Sequence, residues 1–80
     1  MGLILRGKQA SRLLQLYEQL TGDFVAQDDP RRPEILLEMT GVVTAPTVKD
    51  ARYAIAWWGW ESKREMDAWI RKARKLWEVV

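Results

Sequence analysis

A mainly α chain, a small bundle of about four helices, is what this sequence predicts, and three observations carry it. Apolar residues recur at three- and four-residue steps near both ends of the chain. Thr47 and Ser62 each open a capping pattern ahead of an apolar run. Gly and Pro fall between the periodic segments, where a helix must stop or start. The alternative is an α+β chain with two helices packed on a small antiparallel sheet, because residues 34–43 and 51–60 also carry strand-like patterns.

Taken in order, residues 7–20 form the first helix. Ala10, Leu13, Leu14, Tyr17 and Leu20 make its apolar stripe, Gly7 caps its start, and Gly22 is a natural left-handed stop. Leu3, Ile4 and Leu5 precede it as an extended arm or short strand. Residues 23–32 are a loop, since Asp28-Asp29-Pro30-Arg31-Arg32-Pro33 breaks any regular element. Pro33 suits the first position of a helix over 33–40 that ends at Gly41, although Ile35, Leu37 and Met39 also alternate as a strand would. Residues 42–46 read as a connection. Thr47 then caps a helix over 48–58, with Val48, Ala51, Ala54, Ile55 and Trp58 on one face and Gly59 as its stop. Its rival is a strand over 51–60. Ser62 and Glu65 form a second capping box, opening a helix over 62–78 whose apolar arc is Met66, Trp69, Ile70, Ala73, Leu76, Trp77 and Val80.

Eighty residues make one small domain, 1–80, that must be stabilised by packed apolar area, because there is no Cys for a disulfide. With neither His nor Cys, the usual zinc sites are excluded. Asp23, Asp28, Asp29, Glu34 and Glu38 form a loose acidic region, expected to be hydrated and not to hold a metal. There is no thiol, no imidazole and no glycine-rich phosphate loop, so the chain is expected not to be an enzyme and to need no cofactor. No apolar run approaches the roughly 18 residues that cross a bilayer. A soluble, cytoplasmic protein without a membrane partner is the expectation.

Charge and indole point to binding. Residues 63–75 carry six cations against two carboxylates, within a net charge of only +2. Lys63, Arg64, Arg71, Arg74 and Lys75 share one sector of the last helix, diluted by Asp67 and Glu78, with Lys72 on the far side near Glu65. A positive strip of this kind suits phosphate, and the leading expectation is a small regulator that binds nucleic acid through it. The plainer reading is a solvated face that complements the negative end of the helix dipole. The second function class rests on the five tryptophans, four of them between residues 57 and 69. On a helix over 48–58, Tyr53 and Trp57 lie four apart and point away from the core, and Trp60 follows in the turn. These three are the candidate anchors of a protein-interaction module or accessory subunit, with a protein partner or a homodimer burying the rings.

The pair of helices about Gly59 resembles a helix-turn-helix. Residues 48–58 would support, Gly59-Trp60-Glu61 would turn, and residues 62–78 would be the recognition helix. Thr47-Val-Lys-Asp-Ala and Trp69-Ile-Arg-Lys are similar to the start of the first helix and the end of the second in excisionase-type modules. About thirty residues are covered, and the likeness implies a nucleic-acid partner. The sequence departs from that pattern at Ile55, where a small residue is usual, and Met66 and Trp69 lie one residue further from Gly59.

Overall fold

Local capping chemistry sets most of the element boundaries in the computed structural model, which describes residues 7–78. The first helix, α1, spans Gly7–Thr21 and stops at Gly22, whose φ of 75° is the left-handed conformation that glycine adopts at least cost. The Gly22 N–H closes the helix on the Glu18 carbonyl at 2.7 Å. The second helix, α2, spans Arg32–Thr44 with Pro33 in its first turn. The third, α3, spans Val48–Ile55, and its Thr47 hydroxyl accepts from the Asp50 N–H at 3.1 Å. A single 3-10 turn, Ala56–Trp58, follows, and Gly59 ends it at a φ of 84°. The fourth helix, α4, spans Lys63–Glu78. Ser62 Oγ accepts from the Glu65 N–H at 3.1 Å, while the Glu65 carboxylate reaches back to the N–H of Glu61 at 2.8 Å. That is one residue earlier than a standard capping box, and it still satisfies a donor near the helix start.

The chain is therefore a mainly α bundle, and the described residues contain no strand. The sheet alternative is not formed: residues 34–43 lie in α2, and residues 51–58 are helical. α2 and α4 each pack against the other three helices. Their meeting point is an apolar core of Leu13 and Leu16 from α1, Ile35, Met39 and Val42 from α2, Ala51 and Ile55 from α3, and Ile70 and Ala73 from α4. Val25 pins the loop between α1 and α2 onto this core. The arm at Leu3–Leu5 and the last apolar position, Val80, lie outside the described residues.

Three expectations need correction, the first being the helix over 48–58, which is α-helical only to Ile55 and finishes as the 3-10 turn that Gly59 ends. The helix over 33–40 does not end at Gly41, and residues 42–44 belong to α2 instead of to a connection. A Cβ at Gly41 would lie 2.7 Å from the Cβ of Ala54, so α2 and α3 approach closely at this glycine. The same close approach explains the small residue at Ala54 on α3. Thr40 and Thr44 return their hydroxyls to the carbonyls of Leu36 and Thr40, both at 2.6 Å, which lets Thr40 be buried without an orphan donor. The α3–α4 pair is adjacent and packed, but residues 56–62 join it through a 3-10 turn, a longer link than the three or four residues usual in a helix-turn-helix.

Candidate functional site: an aromatic cleft

The 3-10 turn after α3 decides where the indoles go. Continuing the α-helix would carry Trp57 and Trp58 on at 100° steps, whereas the turn and Gly59 fold the chain back so that Trp60 returns to the end of α3. Its indole N–H donates to the Ile55 carbonyl at 2.8 Å and satisfies one of the orphan acceptors there. Trp58 becomes the hub of a ring cluster. It meets Tyr17 edge-on at 5.5 Å and Trp69 edge-on at 5.3 Å, and it stacks on Trp60 at 6.3 Å. Trp60 and Trp69 close the cluster at 5.7 Å. These separations and tilts are those in which aromatic quadrupoles attract.

One side of this cluster is open. A cleft of about 520 Å³ lies between the end of α1, the start of α2, the Trp57–Trp60 turn and the first half of α4. Tyr17, Trp57, Trp58, Trp60 and Trp69 wall it. Its charged groups, among the described residues, are Glu34, Glu38, Glu65 and Arg31. Glu38 is only 7% exposed, and its Oε2 accepts from the Trp57 indole N–H at 2.5 Å, so ring and carboxylate fix each other. Trp57 nevertheless remains 64% exposed.

Arg31 is half exposed and already paired with carboxylates. Its guanidinium forks to Asp23 and Asp29, at 2.9 Å each, and Asp29 Oδ1 also accepts the Arg31 backbone N–H at 2.9 Å. Hydrogen bonds from Arg31 are the first cause that holds both aspartates below the usual carboxylate range. Tyr17 donates its hydroxyl to Asp23 at 3.0 Å; burial, then that bond, push its pKa upward. The loose acidic region is thus partly a structural clasp, and among the described residues no three acidic side chains gather as a metal-binding group.

The candidate anchors separate. Tyr53 is 73% exposed and stands on α3 outside the cleft wall, Trp57 forms the cleft edge, and Trp60 is half-buried in the ring cluster. The candidate cations separate too. Lys63, Arg64, Arg71 and Lys75 are exposed, whereas Arg74 turns inward and donates to the carbonyls of Val42 and Ala45 at 2.9 and 2.7 Å. It caps the C-terminal end of α2, where a cation also meets the negative dipole end. At 100° per residue, Arg64, Arg71 and Lys75 fall within about 40° of each other, and Lys63 lies about 100° from Arg64. Asp67, expected to dilute the strip, is gripped by Arg52 of α3 through two bonds of 2.6 Å.

Sequence reasoning placed Trp58 and Trp69 in the core and did not join them to Tyr17, Glu34 or Glu65. The available signal was Glu34 and Glu38, four residues apart and so on one side of a helix, opposite a tryptophan-dense turn. Compared with known proteins, the chain matches no family model, no curated protein and no solved structure.

Proposed function

We propose that this chain is a non-enzymatic binding module that holds a segment of a protein partner in the aromatic cleft. The observation that carries the reading is the convergence of four indoles and a tyrosine around one open space of about 520 Å³. Binding clefts are typically of this size and lining, apolar and aromatic with a few fixed polar groups. Tryptophan and tyrosine are also the side chains that most often dominate interface energetics. A panning experiment with a random dodecapeptide library tests this. Selected peptides should bind wild type and lose at least ten-fold in affinity on Trp57→Ala, with the helical circular dichroism spectrum retained. Peptides that bind the variant equally well, or a library that yields none, would contradict the reading.

A second reading keeps nucleic acid as partner, through the exposed strip of Arg64, Arg71 and Lys75. It draws on three cations where five were expected in one sector. Three phosphate contacts imply a salt slope of about −2.7, hence an affinity loss of about 100-fold between roughly 50 and 300 mM salt. A generic duplex retained equally at both concentrations, or not bound at all, would remove this reading.

A further inference from the structure

We propose that the cleft takes the guanidinium of an arginine presented by the partner protein, an inference that rests on the cleft being the binding site. Its walls are aromatic side chains, and a ring attracts a cation that lies over its face. Its lining carries the carboxylates of Glu34, Glu38 and Glu65, the last with one oxygen on the Glu61 N–H, while Arg31, the one cation lining it among the described residues, is shared between Asp23 and Asp29. A phosphate or an acidic peptide would meet unopposed negative charge there. Glu38 is the most constrained of the three. With Oε2 held by the Trp57 indole, its Oε1 takes no hydrogen bond among the described residues, and it stands beside the same ring.

Guanidinium fits this arrangement better than ammonium. It is planar and weakly hydrated, so one face can lie on an indole while its edge bonds a carboxylate in the same plane. An ammonium must give up a tighter hydration shell for fewer directed bonds. The fold already contains such a pairing elsewhere: the Arg12 guanidinium lies 3.7 Å above the Trp77 ring centre and donates to the Trp77 carbonyl. Trp77 lies outside the cleft, so that pair leaves the cleft rings uncovered.

The test is a panel of capped pentapeptides, Gly-Ser-Xaa-Ser-Gly, with arginine, citrulline, lysine or leucine at the centre, titrated against the full chain by indole fluorescence. Citrulline keeps the shape of arginine and removes its charge. The arginine peptide should bind about ten-fold more tightly than the citrulline peptide, and more tightly than the lysine and leucine peptides. Glu34→Gln, an exposed position that leaves the core untouched, should weaken the arginine peptide several-fold and leave the leucine peptide unchanged. Equal or better binding by citrulline, lysine or leucine would overturn the inference, as would no binding by any of the four. In those cases library peptides that still need Trp57 leave the binding-module reading standing. Self-association abolished by Arg71→Ala would put a second copy in the cleft and overturn a separate partner.

Discussion

Gly41 sits inside α2, where glycine ordinarily costs a helix about 1 kcal/mol relative to alanine. Alanine should nonetheless be worse, because its Cβ would press on the Ala54 Cβ at 2.7 Å and neither atom ends a flexible side chain. Overpacking of that kind costs about 1–3 kcal/mol. Gly41→Ala should therefore lower the urea midpoint, and Gly41→Ala combined with Ala54→Gly should recover part of the loss. A higher midpoint for the single variant would show that the helices are further apart than described. Arg74 and Arg71 make a second contrast. Arg74 holds two carbonyls at the end of α2, so Arg74→Ala should destabilise by about 1.5–3 kcal/mol, the range for hydrogen bonds to charged groups. Arg71 is exposed, and Arg71→Ala should stay within about 0.5 kcal/mol. Equal melting of the two variants would contradict the inward placement of Arg74.

At the level of the elements, α3 and α4 owe their starting points to two hydroxyls. Thr47→Ala and Ser62→Ala should each cost about 1 kcal/mol in thermal denaturation, since each leaves an N–H of the first turn without its acceptor. α3 and α4 are also tied by Arg52 and Asp67, and this tie depends on pH. Hydrogen bonding from Arg52 is the first cause that keeps Asp67 below its ordinary value of 3.8. The unfolded chain therefore binds a proton at a pH where the folded chain does not. The pair's contribution is complete above about 3.8 and disappears as pH falls through the lower folded value. Asp23 and Asp29, depressed by Arg31, act in the same direction. Wild type should thus melt above Asp67→Asn at neutral pH, and the two melting temperatures should converge in acid. A gap that stays constant with pH would mean the ion pair does not form. These caps and stops could be read from the sequence because each involves neighbours within a few residues. Gly22, Thr47, Gly59 and Ser62 all act locally. Gly41 carries the same residue type as a helix stop and does a different job, set by Ala54 on another helix.

For the molecule as a whole, two surfaces of opposite character lie on either side of α4. Glu65 and Trp69 face the acidic, aromatic cleft, and the strip of Arg64, Arg71 and Lys75 lies about 120° around the helix. The sequence showed that α4 is amphipathic and basic, and it showed an excess of indole. It did not show the cleft, because Tyr17, Glu38 and Trp58 come together only when α1 and α2 pack beside the turn. Nor did it show that Arg74 faces inward, since the side of a helix a cation occupies has meaning only once the neighbouring carbonyls are placed. Trp58 and Trp57 accordingly differ although they are adjacent. Trp58 is the hub of three ring contacts, and Trp58→Ala should cost about 3 kcal/mol or more. Trp57→Ala loses mainly the hydrogen bond to Glu38, about 1.5–3 kcal/mol, and should remain folded. The most direct test of the cleft is a nitrogen-edited spectrum of the five indole N–H groups during titration with a library-selected peptide. The signals of Trp57, Trp58, Trp60 and Trp69 should move together while Trp77, which lies under Arg12 and away from the cleft, stays in place. Movement of Trp77 alone, or equal movement of all five, would contradict it.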